Sequence, residues 1–170
     1  ICTMRKLNRP TDQRMAIMRS LATNLLWYGK IETTLAKAKE LRSYAEKIIT
    51  KAVNTFEDVV KTTKTVTDAK GVKSQKEVVN DGAKKLAARR TLMANLADLQ
   101  ETRLPKEKAS EYKVRTKEVK HPLIEKLFNE YAPKFDKIAQ EKGQKGGYTA
   151  IYKMNARRGD AAEMALIVVL

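Results

Sequence analysis

The stretch Leu25-Leu-Trp-Tyr-Gly-Lys-Ile-Glu-Thr-Thr-Leu35 decides the fold. Upstream of it, Met15, Met18, Leu21, Ala22, Leu25 and Leu26 recur three and four residues apart, which marks one apolar face of a helix. Thr11 offers the cap of that helix, with Asp12 in the first turn where the dipole favours a carboxylate. Gly29 supplies the stop, because glycine enters the left-handed conformation without a Cβ penalty. Lys30 to Thr34 alternates weakly and is β-branched, so it reads as a short strand. Thr34 then caps a second helix with Leu35, Ala38, Leu41, Ala45, Ile48 and Ile49 as its stripe, ending near Val53. Two amphipathic helices around a strand must share a core with further elements.

Outward from this unit, residues 54–80 are rich in Thr and Lys around a turn-like Asp68-Ala-Lys-Gly71, which points to a small exposed hairpin. A third helix is expected over Asp81 to Leu99, with Leu86, Met93 and Leu96 inward and Lys85 and Arg89 stacked four apart. Residues 100–120, charged and carrying Pro105, read as a surface loop. Pro122 suits the first turn of a fourth helix with Leu123, Leu127 and Tyr131 on its face. Pro133 breaks or kinks that helix before Phe135 and Ile138. After a basic turn at Gly143-Gln-Lys-Gly-Gly147, Tyr148 to Met154 and Met164 to Leu170 read as two strands joined by Asn155-Ala-Arg-Arg-Gly-Asp160. The last strand is apolar at nearly every position, the pattern of a strand buried on both faces. The expected fold is an α/β (α+β) two-layer domain, with about four helices packed on a small mixed sheet.

The charge narrows the function. Among 170 residues, 35 Lys and Arg oppose 20 Asp and Glu, for a formal +15. Such a surplus favours polyanionic partners through long-range attraction and counterion release. Residues 1–42 carry nine basic and three acidic side chains, whereas residues 121–142 balance at four and four. The N-terminal third is therefore the candidate nucleic-acid face, and the balanced stretch reads as a structural helix. No apolar run approaches the ~18 residues of a spanning helix, and no secretory hydrophobic region opens the sequence, so no membrane partner is expected. Cys2 is the only cysteine and His121 the only histidine, so neither a thiolate cluster nor a His-pair metal motif can be built. Gly143 to Gly147 lacks the Gly-Lys-Ser/Thr of an NTPase loop. Metal, cofactor, small-molecule substrate and catalytic residues are all expected to be absent.

The candidate binding residues follow from charge and position. Ile1 to Pro10 reads as a basic arm with Arg5, Lys6 and Arg9 and no acid, ordered only on its partner. Charge alone leaves it open between a solvated tail and an RNA-binding segment. Arg14, Arg19, Lys37, Lys39 and Arg42 lie on the first two helices, where Arg42 can equally pair with Glu46 one turn on. Lys145, Arg157 and Arg158 sit in turns beside the last strands, where guanidinium forks suit phosphate oxygens. Tyr148 is the candidate for stacking on an unpaired base, and Tyr152 is assigned to core packing. Asp160 after Gly159 reads as a turn-stabilising residue rather than a catalytic one, because no histidine or nucleophile lies beside it. Rival readings are a free RNA- or DNA-binding module and an RNA-acting enzyme.

Three blocks resemble one family. Arg5-Lys-Leu-Asn-Arg9 with Thr11-Asp-Gln-Arg14 and Met18-Arg19 is similar to the N-terminal signature of the L-seventeen proteins of the bacterial large ribosomal subunit. Lys30-Ile-Glu-Thr-Thr34 with Ala36-Lys-Ala-Lys-Glu-Leu-Arg42 resembles the family's strand and second helix. Gly146-Gly-Tyr-Thr149, Lys153, Arg158-Gly-Asp160 and the terminal Met164-Ala-Leu-Ile-Val-Val-Leu170 are similar to its C-terminal sheet, and Lys126-Leu-Phe-Asn-Glu130 adds a weaker match. The chain departs from the family at Gln13, where many members carry histidine. The resemblance implies a basic arm over 1–10 and a single domain over 11–170. Insertions around 56–80 and 100–118 are similar to longer clostridial forms. It further implies a structural constituent of the cytoplasmic ribosome that binds large-subunit (23S-type) rRNA near the polypeptide exit region and touches neighbouring ribosomal proteins. Asn8 and Lys153 join the contact set through these motifs.

Overall fold

A computed structural model describes residues 4–67, 73–117, 119–143 and 145–170. Helix α1 spans Thr11–Tyr28 and ends as its glycine dictates: Gly29 adopts φ 78° and donates its N–H to the Leu25 carbonyl. The next two carbonyls, which α1 cannot satisfy itself, accept from the fourth helical region. Tyr131 Oη donates to the Leu26 oxygen at 3.0 Å, and Lys126 Nζ donates to the Trp27 oxygen at 2.8 Å. Thr11 is the first helical residue rather than the cap, and Pro10 precedes it without a side-chain bond.

Strand β1, Lys30–Thr34, leads into α2, Leu35–Val53, whose sequence-derived stripe is buried throughout, joined by Ala52 and Val53. Thr34 holds the cap position without making the side-chain bond. Helix α2 is central: it packs on α1, on α3 (Ala83–Asn95), on α6 (Ala132–Lys142) and on the sheet of β1, β4 (Thr149–Lys153) and β5 (Met164–Val169). At roughly 1.5–3 kcal/mol per large aliphatic side chain removed from water, Leu41, Ile49, Leu25, Leu26 and Ile167 supply much of the driving force.

The sheet runs β1-β5-β4 and every pair is antiparallel, so it is not the mixed sheet expected. The reason is connectivity. The last strand enters between two earlier ones, and β4 returns to it through a loop too short for a parallel crossover. Helices cover one face only. Ala165 and Ile167 are buried against them, whereas Met164, Leu166 and Val168 remain half-exposed, so β5 is not buried on both faces.

The Thr- and Lys-rich segment forms a hairpin of two nine-residue strands, β2 (Val59–Thr67) and β3 (Lys73–Asp81), paired from Val59↔Asp81 to Thr67↔Lys73. The turn expected at Asp68 to Gly71 lies outside the described residues. Asp58, just before β2, caps α3 from a distance: its Oδ2 accepts from the N–H groups of Lys84 and Lys85. Arg89 then ties the hairpin base to the helix that begins at Pro122, through Asp81 and Glu125. Helix α3 turns Ala88 and Leu92 inward, followed by Leu96, and leaves Leu86 and Met93 about two-fifths exposed. Alanine lets the helix approach α2 closely, a gain that ranking by side-chain size overlooks.

Residues 100–120 are not all loop. Ala109–Thr116 forms the short α4, held by Arg115 between Glu101 and Glu107. The fourth expected helix is a continuous run of α5 (Pro122–Lys126), a π-helical turn (Leu127–Tyr131) and α6. In a regular helix the Pro133 ring would meet the Asn129 carbonyl, and the wider π turn falls immediately before it.

Candidate nucleic-acid interface

The basic arm is folded from Met4 onward rather than free. Met4 and Leu7 pack against the core, and the chain reverses in a turn closed by Arg9 N–H to the Lys6 carbonyl at 3.1 Å. Its central residues, Leu7 and Asn8, both take positive φ, 51° and 52°, as a type I′ turn requires. Asn tolerates that conformation; Leu does so at a cost, offset by the apolar contacts of its side chain. The turn holds Arg5, Lys6, Asn8 and Arg9 at the surface.

Arg5 Nε lies 3.2 Å from Glu40 Oε1, which fixes the arm to the first half of α2. Lys37, Lys39 and Arg42 occupy the same half, and Arg42 pairs with Glu46 at 3.6 Å. Glu46 also accepts from Thr149 Oγ1 at 2.9 Å, which links α2 to β4. On α1, Arg19 is exposed, while Arg14 is half-buried. The Arg14 Nε is shut from solvent without an acceptor, and its Nη2 reaches Thr11 Oγ1 only at 3.5 Å. Arg19 also helps to lower the Tyr44 phenol, although burial outweighs it and leaves that group raised.

Lys145, Lys153, Arg157 and Arg158 are exposed. Arg157 is already engaged: Nε and Nη2 grip the two Asp160 oxygens at 3.0 and 2.6 Å. The guanidinium and the Ala162 N–H hold the Asp160 carboxyl down to about 2, so Asp160 is a turn-closing acceptor. Among the described residues, no hydrogen bond or ion pair joins this C-terminal group directly to the arm.

Two tyrosines exchange their expected roles. Tyr148 is 4% exposed, its ring centroid 4.7 Å from that of Phe135, and offers no face to a base. Tyr152 is 56% exposed on the uncovered side of the sheet. Tyr148 lies just before β4, and its ring packs against Phe135 of α6 instead of following the face that carries Tyr152. Strand alternation therefore does not extend back to it.

Among the described residues, no group of His, Cys, Asp and Glu could hold a metal ion, and no helix is long and apolar enough to cross a membrane. Lys6, Arg9, Arg14, Arg19, Lys37, Lys39, Lys145, Lys153 and Arg158 make no ion pair among the described residues. The arrangement can receive phosphates; nothing in it activates a nucleophile.

Residues 17–170 match the family described as ribosomal protein L17. The large ribosomal subunit protein bL17 of Acetivibrio thermocellus is 38% identical, with 96% of each chain covered. That of Clostridium acetobutylicum is 35% identical over 96% of this chain and 93% of its own. That of Lachnospira eligens is 39% identical over 96% of each. From the match across the helices and both parts of the sheet, the chain belongs to the ribosomal protein L17 family, whose members are structural components of the ribosome and not enzymes.

Proposed function

We propose that this chain is a structural constituent of the large ribosomal subunit that binds large-subunit (23S-type) rRNA by neutralising phosphates. The observation that carries this reading is the set of exposed cations on the arm turn and the first half of α2. Lys6, Arg9 and Lys39 are exposed there and Lys37 is half-buried, all without an acidic partner among the described residues. A domain with this much uncompensated charge gains most by docking on a polyanion, where each neutralised phosphate releases condensed counterions. The docked arm adds geometry: a turn anchored through Leu7 and the Arg5–Glu40 pair presents Lys6 and Arg9 in a fixed relation to α2. Less conformational freedom is then lost on binding than for a free tail.

Arg14, Arg19 and Arg42 extend this patch, while Lys145, Lys153 and Arg158 form a second one beside the sheet. Arg157 serves the loop through Asp160 more than the RNA. The named relatives are large-subunit proteins of bacteria, which supports a cytoplasmic ribosome as the setting and neighbouring ribosomal proteins as partners. The family resemblance, rather than a contact in the fold, carries the location near the polypeptide exit region.

The test is the affinity of the full chain for deproteinised large-subunit rRNA as a function of salt. Neutralising about six phosphates gives a log–log slope of about −4 to −5. Replacing Arg5, Lys6 and Arg9 with Ala lowers the affinity and flattens that slope without loss of helicity. A wild-type slope near zero contradicts the reading.

A further inference from the structure

Helix α2 carries a second feature that the arm does not explain. Its outward face presents Lys39, Lys47 and Lys51, all exposed, with Ser43 and Thr50 between them. These residues, with Arg42 and Glu46, line one open surface groove. Lys51 also lines a second groove, shared with Asn54, Thr55 and Lys84 at the start of α3. Lys51 borders both grooves, so a line of exposed lysines runs from Lys39 in the first half of α2 to Lys84 at the N-terminal turn of α3.

Solvated helix faces ordinarily mix signs, as α6 does with Lys134, Asp136, Lys137 and Glu141. This line does not. Lys47 and Lys51 are like charges one turn apart, an arrangement that repels, and neither has an acid three or four residues away. Lys39, Lys47, Lys51 and Lys84 make no ion pair among the described residues. The single acid in the groove, Glu46, is half-buried and already engaged by Arg42 and Thr149. Asp58, near the α3 end, is committed to the backbone of Lys84 and Lys85.

We infer that the outer face of α2 and the first turn of α3 form an RNA track, in which Lys39, Lys47, Lys51 and Lys84 follow the phosphates of a structured RNA segment. The inference rests on the rRNA-binding reading above and extends its α2 patch from Lys39 along the helix to α3, with a mode of recognition. From Lys39 to Lys51 the helix rises about 18 Å, enough to meet several successive phosphates. The track recognises backbone rather than bases. The Thr50 and Thr55 hydroxyls are turned back onto the Glu46 and Lys51 carbonyls, so the lysines, with Ser43 and Asn54, are the groups that suit phosphate and sugar oxygens, and the track has no stacking platform. The one aromatic of α2, Tyr44, is half-buried and donates its hydroxyl to the Asn95 carbonyl at 3.0 Å. Lys47, Lys51 and Lys84 escape a reading of the sequence because two helices far apart in the chain bring them together.

The experiment compares three full-length proteins on deproteinised large-subunit rRNA over a range of salt: wild type, an arm variant (Arg5→Gln, Lys6→Gln, Arg9→Gln) and a track variant (Lys47→Gln, Lys51→Gln, Lys84→Gln). All substitutions lie on exposed positions, and circular dichroism verifies the fold. The track variant is expected to flatten the log–log slope by about 2 to 3 units, at ~0.7–0.9 per phosphate contact, additively with the arm variant. An unchanged slope in the track variant with a flattened one in the arm variant overturns the track, leaves rRNA binding standing and directs this surface to an acidic protein. A slope near zero in the wild type overturns the rRNA reading itself, and the track with it.

Discussion

Replacing Arg89 with Met tests how the β2–β3 hairpin is fastened to the domain. Arg89 Nε binds Asp81 Oδ2 at 2.6 Å, Nη1 binds Glu125 Oε1 at 2.5 Å, and the guanidinium lies 5.2 Å from the centre of the Phe128 ring. The Arg89 and Asp81 side chains are 20% and 21% exposed, between the surface and buried regimes. Exposed pairs contribute about 0–1 kcal/mol, whereas removing one partner of a buried pair costs about 3–5 kcal/mol. An intermediate loss of about 2 kcal/mol follows, or about 4–8 °C in Tm for a domain of this length. The pH dependence has a definite sign. Burial acts to raise the Asp81 carboxyl, but the hydrogen bond and charge of Arg89, helped by Lys85, prevail and hold it below its ordinary value of 3.8. A carboxylate lowered by folding stabilises the protein above its unfolded value and loses that contribution as pH falls through the folded one. A double-mutant cycle of Arg89→Met and Asp81→Asn, followed by thermal unfolding, should give a coupling of about 1–2 kcal/mol at pH 7 that fades below about pH 4. A coupling near zero at pH 7, or one that does not change with pH, refutes this account of the hairpin base.

Three other perturbations have definite outcomes. A Cβ at Gly82 would lie 2.3 Å from the Asp58 carboxylate, so Gly82→Ala displaces the acid that caps α3 and costs about 1 kcal/mol in chemical denaturation. Ile167 is fully buried at the centre of the sheet, and Ile167→Ala should lose about 3 kcal/mol, read as a Tm drop of about 6–12 °C. In an NMR titration the Asp160 carboxyl should titrate near 2, and in Arg157→Ala it should move up toward 3.8; an unmoved midpoint would show that Arg157 does not hold the loop.

Much of the fold was legible because its signals are local. The apolar stripes of α1 and α2, the stop at Gly29 and the β-branched run Lys30–Thr34 each reside in contiguous residues, and all are where periodicity places them. What escaped depends on partners distant in the chain. The Asp58 cap spans 26 and 27 residues, and the Arg89 bridge to Glu125 spans 36. The inward face of α3 rests on Ala88, whose value lies in close approach rather than size. The uncovered side of β5 could not be read from an apolar run, since strands with one or two covered faces share that composition.

The candidate site was legible to a similar depth. Charge located the basic arm and helix positions, and Arg42 pairs with Glu46 as helical spacing allows. The arm's packing could not be foreseen, because Met4 and Leu7 find their contacts only once α1 and α2 are assembled. Tyr148 and Tyr152 were exchanged because the burial of Tyr148 depends on Phe135 of α6, a contact that no local pattern announces.

The most direct test of ribosomal-RNA binding is sucrose-gradient fractionation of a tagged copy of the chain, at near-physiological and then at high salt. The account predicts that the protein migrates with the large subunit, and that the arm variant does so less completely as salt rises. A protein found at the top of the gradient at near-physiological salt, or on RNAs other than ribosomal RNA, would contradict it.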